Sequence, residues 1–255
     1  MILAVAVVLT GCLIGLLVGA TGIGAGTLGA PFLIFVLKID PFVAVGTDLF
    51  MNAIVKMTGS IMHKRANNTE GSSIAPLAIS AVLGSILGLL LLALLKSHGD
   101  ARGSREILRH VIGVVLLLCA LAIVLSARVR TRHLRFDTPV YLGAAGGLIA
   151  AIATATGVGV GSLSVPALHF IKGREQVSKI VGTSLIYGAI VTTIGAAGNA
   201  LLGNVNYGLA ALLLAGALPG VGIGSMLATR APAALRPVVV ALVAISGVRL
   251  LVGGS

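Results

Sequence analysis

Residues 21 to 31 read Thr-Gly-Ile-Gly-Ala-Gly-Thr-Leu-Gly-Ala-Pro, and residues 156 to 166 read Thr-Gly-Val-Gly-Val-Gly-Ser-Leu-Ser-Val-Pro. Six of the eleven positions are identical: Thr21/Thr156, Gly22/Gly157, Gly24/Gly159, Gly26/Gly161, Leu28/Leu163 and Pro31/Pro166. Ile23/Val158 and Thr27/Ser162 are conservative pairs. A glycine at every second position, inside a long apolar run, makes a poor helix. Each costs roughly 1 kcal/mol relative to Ala, and three within five residues undo a turn. Unwound backbone at membrane depth is tolerated only where it is buried in protein or lines a cavity. Two such breaks in matching halves of a chain point to the binding site of a transporter.

The rest of the chain has the composition this requires. Of its 255 residues, 57% are hydrophobic and only 10% are charged. Apolar stretches of about 20 residues are membrane spans, and the 35 glycines suit helices that pack through small residues. The formal charge of +11 is not a nucleic-acid signature, because the basic residues sit in short loops between apolar runs, the positive-inside pattern. Cys12 and Cys119 fall inside apolar spans without metal-ligand spacing and read as buried free thiols. Leu9-Thr10-Gly11-Cys12 looks like a lipoprotein cleavage box, but no Lys or Arg precedes it. Residues 1 to 20 are therefore expected to be a retained helix.

The order of segments repeats. Helices are expected over 2–20, 42–62, 73–95 and 107–126, with the break at 21–26 and a short apolar segment at 27–37. Polar loops are expected at 63–70 and 96–106. The second half has a helix at 138–155, the break at 156–161, a short segment at 162–171, and helices matching the first half at 205–228 and 235–252. Gly46-Thr47-Asp48 is matched by Gly182-Thr183-Ser184, Gly84 and Gly88 by Gly220 and Gly224, and Leu108-Arg109 by Leu235-Arg236. The expected fold is an all-α polytopic membrane protein with two homologous repeats of four to five transmembrane segments. Each repeat opens with a Gly-rich broken or re-entrant segment. The repeats are residues 1–127 and 138–255, joined by a basic cytoplasmic linker, 128–137, that carries Arg128, Arg130, Arg132, His133 and Arg135. Four spans per half would make the repeats parallel and five would make them inverted. Five place Lys172, Arg174, Lys179, Arg230 and Arg236 inside with the linker, which favours inversion.

The breaks carry the chemistry. Glycines at alternate positions release successive backbone N–H groups, which can converge on an anion. The short helices starting near Thr27 and Ser162 aim their N-termini at the same place, each with roughly +0.5 of a charge. The hydroxyls of Thr21, Thr27, Thr156 and Ser162 add donors. Packing glycines recur at i+4 whereas these recur at i+2, so close helix packing alone does not account for them. No preceding strand and no Gly-Lys-Ser/Thr supports a nucleotide fingerprint. Asp48, Asn52 and Lys56 form a polar stripe at i, i+4 and i+8. Lys56 either attracts the anion, with Asp48 as counter-charge or proton carrier, or snorkels to the interface. The stripe is not duplicated, since its counterparts are Ser184, Gly188 and Thr192; Thr47 and Thr183 are. The candidate substrate-binding residues are Thr21, Gly22, Gly24, Gly26, Thr27, Thr47, Asp48, Asn52, Lys56, Thr156, Gly157, Gly159, Gly161, Ser162, Thr183 and Ser184. His169 and Arg249 read as interfacial or structural. No catalytic grouping, metal cluster or cofactor motif is present in the sequence, so an enzyme is not expected.

With these motifs in this order, the chain resembles the sulfite exporter TauE/SafE family of prokaryotic membrane permeases. The resemblance rests on Gly22-Ile-Gly-Ala-Gly26 with Pro31, its copy Gly157-Val-Gly-Val-Gly161 with Pro166, and Gly46-Thr-Asp48 with Gly182-Thr-Ser184. Ala25 and Asp48 depart from the family pattern, which has a Gly and a Ser or Asn there. The resemblance implies transport of a small sulfur-containing anion, such as sulfite or an organosulfonate, across the cytoplasmic (inner) membrane. The expected partners are that anion, the lipid bilayer, a coupling ion (H+ or Na+) and a second copy of the chain as a homo-oligomer; nucleic acid is not among them. Asp48 and His63 are the candidate proton carriers in the first half. A passive small-anion channel is the alternative reading.

Overall fold

The computed structural model describes residues 2–21, 27–65, 71–98, 100–128, 138–172, 177–228 and 232–252. Among the described residues all regular structure is helical. The helices are α1 (Ile2–Thr21), α2 (Gly29–Phe35), α3 (Pro41–Arg65), α4 (Gly71–Ser97), α5 (Ala101–Arg128), α6 (Pro139–Thr156), α7 (Val160–Ile171), α8 (Val177–Leu201), α9 (Tyr207–Ala228) and α10 (Pro232–Val252). By length and composition α4, α5, α6, α8 and α9 can each cross a membrane.

The expected boundaries shift where polar residues cap a helix. The 96–106 loop is far shorter than its polarity suggests, because α4 runs to Ser97 and α5 starts at Ala101. Asp100 Oδ1 accepts the Arg102 N–H at 3.0 Å and so opens α5, as a capping carboxylate does. Asp40 acts likewise at α3, accepting the Phe42 N–H at 3.0 Å, with Pro41 in the first helical position.

The packing is that of a protein in lipid. Large side chains such as Ile79, Leu83, Leu87 and Leu90 point outward. Small ones, Gly84, Ser85 and Gly88, point inward from the same helix α4. With no apolar contrast between lipid and helix surface, close backbone approach drives association. The main pairings are α1 with α9, α4 with α6, α3 with α8, and α5 with α10. In α4, a Cβ on Gly84 would strike the Gly147 carbonyl of α6, and in α9 a Cβ on Gly220 would strike the Cys12 carbonyl of α1. Gly11 and Gly15 of α1 are likewise pressed against the backbone of Leu213 and Ala217. Gly113 and Gly247 face each other across α5 and α10; a Cβ on either would fall 3.0 Å from the other's carbonyl oxygen.

Three contacts gather loops at one face of the molecule. Lys96, at the end of α4, donates to Leu202 O and to Asn204 Oδ1, both at 2.6 Å. The Asn206 N–H, just before α9, donates to Thr47 Oγ1 near the start of α3 at 3.1 Å. Arg105, near the start of α5, pairs with Asp40 in the α2–α3 connection at 2.5 Å. The far ends of α3 and α5 therefore lie at the opposite face.

In the second half the broken segment folds back on itself. Leu142 and Ala145, near the start of α6, line one cavity together with Leu168 and Ile171, at the end of α7. A kinked but continuous rod would hold these ends tens of ångströms apart at about 1.5 Å per residue. The two helices form a helical hairpin with its tip at residues 157–159. Tyr187 of α8 pins this hairpin, donating its hydroxyl to Gly146 O at 2.5 Å.

Candidate anion site at the helix break

The tip of the hairpin is built by glycine. Gly157 ends α6 with φ 74° and Gly159 begins α7 with φ 105°, the left-handed region that side-chain-bearing residues seldom occupy. The non-helical stretch is residues 157–159, so Gly161 and Ser162, expected in or at the end of the break, already belong to α7. Thr156 is turned to the tip's own backbone: its hydroxyl donates to Ile152 O at 2.7 Å and accepts the Val158 N–H at 3.2 Å. Gly159 has no side chain, so the N-terminus of α7 has no side-chain cap, and Gly159, Val160 and Ser162 around it are buried. Ser162, one turn in, is buried, and the Cys119 thiol is the group its hydroxyl faces. Cys119 of α5 lies beside Ser162 and Gly159.

The first break is described only at its edges. Gly22, Gly24 and Gly26 lie outside the described residues, and of Thr21 only its place at the end of α1 is given. Past the break, Thr27 is buried, and Gly29 and Ala30 open α2. The two halves meet here, since a Cβ on Gly157 would lie 3.4 Å from Ala30 Cβ and 3.4 Å from Val45 Cα of α3.

The polar stripe of α3 runs into the same core. Asp48 and Asn52 are fully buried and Lys56 is 4% exposed. Burial of Lys56 excludes the snorkelling alternative. Its tail crosses to the second half, where a Cβ on Gly188 of α8 would lie 3.1 Å from Lys56 Cδ, 3.4 Å from Nζ and 3.1 Å from Val160 Cγ1. The ammonium thus shares the space over Gly188 with the first residue of α7. Lys56 Nζ, both Asp48 carboxylate oxygens and Asn52 Oδ1 have no hydrogen-bond partner among the described residues. Asn52 Nδ2 instead donates to the Asp48 carbonyl at 2.9 Å. The Asp48 carboxylate lies at the start of α2, flanked by Asn52 and the Ala30 backbone, with a Cβ on Gly29 falling 2.7 Å from Asp48 Cγ. Lys56 and Asp48 attract each other as opposite charges within this cluster, as ionisable groups buried in a span do.

The remaining candidates separate. Ser184, the counterpart of Asp48, shares a hydrogen bond with Ser164 at 2.6 Å, and Ser164 also donates to Val160 O. Thr47 turns away from the stripe to hold Asn206, so its hydroxyl is committed at the loop face. Thr183 is buried and engaged. Sequence reasoning passes over Gly29, Ser164 and Val160, and notes Gly188 only as the counterpart of Asn52. Their signal is position: Gly29 and Ser164 occupy the same place in the two Gly motifs. His169 and Arg249 lie in the last turns of α7 and α10.

Comparison with known proteins agrees with this architecture. The family described as sulfite exporter TauE/SafE matches residues 7–250. A probable membrane transporter protein of Bacillus subtilis (strain 168), YjnA, is 33% identical over 261 residues, spanning 98% of this chain and all of that protein. A probable membrane transporter protein of Xylella fastidiosa (strain Temecula1 / ATCC 700964) is 26% identical over 228 residues, 87% of this chain and 83% of its own length. No solved structure matches. The chain is a multi-pass integral membrane protein and belongs to the TauE/SafE family of membrane transporters.

Proposed function

We propose that the protein is a secondary transporter that exports a small sulfur-containing anion, sulfite or an organosulfonate. The anion sits near the midplane between the two helix breaks, held by backbone N–H groups and hydroxyls. The observation that carries this reading is the second break. There an uncapped helix N-terminus, the buried Ser162 hydroxyl and the buried Lys56 ammonium belong to one core. Each of these favours an anion.

Movement of the anion comes from two inverted repeats, α1–α5 and α6–α10, rocking against each other about the site. The pairings support this. If α1 corresponds to α6 and α4 to α9, then α1 with α9 and α4 with α6 are one contact made twice. The glycine contacts repeat in register too: Gly84 meets Gly147 as Gly220 meets Cys12, and Gly146 meets Leu77 as Gly11 meets Leu213. Five helices per half, the first two a hairpin, give the repeats opposite orientations. The loop face holding 38–40, 98–100 and 202–206 is then external. The face reached by Lys64, the end of α5 and Lys172 is cytoplasmic, as the positive-inside rule asks. The facing pair Gly113/Gly247 supports equating those two residues, whereas aligning Leu108-Arg109 with Leu235-Arg236 would equate Gly113 with Val240. Two residues are too short a motif to fix a helix register.

The driving force in this reading is an ion gradient, H+ or Na+. The test is flux from liposomes reconstituted with the purified protein and loaded with labelled sulfite or a sulfonate. Efflux that an imposed ion gradient drives uphill supports the transporter. Flux that only runs down the anion's own gradient assigns a channel instead.

A further inference from the structure

The polar stripe of α3 joins the two halves of the molecule through a pair of opposite charges. Asp48 lies at the start of α2, against Gly29 and the Ala30 backbone. Lys56, about two turns further along α3, crosses to Gly188 of α8 and Val160 of α7. Both are buried, and each is the charge that acts on the other. Lys56 Nζ has no hydrogen bond among the described residues, so the two attract each other while the ammonium's donors stay unused. The matching places in the second half are neutral. Ser184 shares a hydrogen bond with Ser164, and Thr192 donates to Gly188 O at 2.7 Å. Hydroxyls bonded within the chain fill those places, so packing alone does not ask for a carboxylate and an ammonium.

The other ionisable groups on the elements packed against α3 are placed elsewhere. α2 has none. On α8, Lys179 stands in the first turn and the Tyr187 hydroxyl donates to Gly146 O. Tyr207 of α9 meets the Phe50 ring edge-on, and Tyr141 of α6 is exposed. Cys119 of α5 faces Ser162, and the charged residues of α5 up to residue 110 stand in its first turns, towards the loop face.

We propose, building on the anion-transport reading, that binding of the anion at Lys56 is linked to the uptake of one proton by the Asp48 carboxylate. The anion and Asp48 contend for one ammonium. With the anion bound and Asp48 still ionised, two negative charges would share one positive charge out of water, a net charge that a buried site resists. A proton taken from water onto a carboxylate oxygen of Asp48 restores neutrality. Lys56 then pairs with the anion, and Asp48 is an uncharged acid beside Asn52. Release of the anion reverses both steps: Asp48 gives up its proton and becomes the counter-charge of Lys56 again. Anion affinity and proton affinity therefore rise together, as linkage requires, and the ion coupled to the anion is H+ rather than Na+.

The test titrates methanesulfonate, which keeps its single charge throughout, into the detergent-purified full-length protein in weakly buffered solution. Binding is followed by calorimetry and proton uptake by pH-stat, at steps from about pH 5 to about pH 9. The expected result is an uptake that comes close to one proton per bound anion within this range, and a Kd that rises with pH by at least about ten-fold across it. Asp48→Asn removes the competitor. It is expected to take up no proton, to bind with a Kd that no longer changes with pH, and at the alkaline end to bind at least about ten-fold more tightly than the unmodified protein, a gain that a merely damaged protein would not show. Lys56→Gln removes the cation and is expected to lose both the affinity and the uptake. Anion binding by the unmodified protein with no proton uptake at any pH overturns the proposal without needing a variant. So does binding that requires Na+ and takes up no proton, or a folded Asp48→Asn protein with the unmodified pH profile. If neither methanesulfonate nor any other small sulfur anion binds, the anion-transport reading falls and this inference with it; if anions bind without a proton, only the inference falls.

Discussion

Gly159 is the residue at which backbone and function meet most directly. Its φ of 105° is one an L-residue adopts only under strain, and a Cβ there would lie 2.9 Å from Leu163 Cδ1. Gly159→Val therefore turns the first N–H groups of α7 away from where they now point. It is expected to abolish binding of the sulfur anion while the protein still inserts, with a stability loss of roughly 1–3 kcal/mol. Radioligand binding and size exclusion on the same preparation check both. Gly143 is the contrasting case, with nothing within 4 Å of an added Cβ. Gly143→Ala is expected to leave binding unchanged and to stabilise by up to about 1 kcal/mol, the helix-propensity difference. Much of this scale was legible in the sequence, because a glycine at every second position has few uses in an apolar run. The partners were not. Nothing in Asp48, Asn52 and Lys56 as a stripe says that Lys56 reaches Gly188, because the helix that supplies Gly188 is more than a hundred residues away. Nor does the stripe say that Lys56 is buried rather than snorkelling. Thr47, expected at the site because it is duplicated, accepts the Asn206 N–H, a contact that duplication does not show.

At the scale of the element, the helix pairs α1/α9 and α4/α6 depend on bare backbone. Gly84→Val and Gly220→Val would each drive a side chain into the carbonyl of the facing helix. Each is expected to lower stability by roughly 3 kcal/mol or more, at the upper end of overpacking costs because backbone cannot repack as a side chain does. The two losses should be similar, since the contacts are the same contact in two places. Thermal unfolding followed by circular dichroism measures them, and unequal losses would weaken the two-repeat reading. The surface pair Arg105/Asp40 is a different kind of contact. Both side chains are substantially exposed, at 55% and 29%, so Arg105→Ala is expected to change stability by no more than about 1 kcal/mol. Helix existence was readable from apolar runs, and their ends were not. Asp100 begins α5 one and a half turns before its apolar run at 107, because a capping carboxylate can start a helix on polar residues. The fold-back of α7 along α6 was one of two geometries the spacing allowed, and only the shared cavity of Leu142 with Ile171 separates them.

For the whole molecule, topology is the consequence open to test. Under the inverted arrangement His98 is external and Thr138 cytoplasmic. Both are exposed, so His98→Cys and Thr138→Cys can be labelled in intact cells with a membrane-impermeant thiol reagent, after Cys12 and Cys119 are replaced. Labelling of the first alone is expected; labelling of the second alone would reverse the orientation. The class of molecule and its multiple crossings were visible in composition and charge placement. The difference between its halves was not, because a motif comparison registers Asp48 against Ser184 as a departure from pattern and cannot show that Asp48 lies against Gly29 while Ser184 bonds to Ser164.

The central claim is that a small sulfur anion binds at the glycine tip between α6 and α7. The most direct measurement is the melting temperature of the detergent-purified protein, unmodified and as Gly159→Val, against sulfite, sulfate, thiosulfate, sulfoacetate, taurine, acetate and chloride. A ligand at a hundred times its dissociation constant stabilises by about 2.7 kcal/mol, which corresponds to a rise of roughly 5 °C or more. The account predicts such a rise for a sulfonate or a sulfur oxyanion in the unmodified protein and none in the variant. An equal rise in both proteins, or no rise with any of the anions, would contradict it.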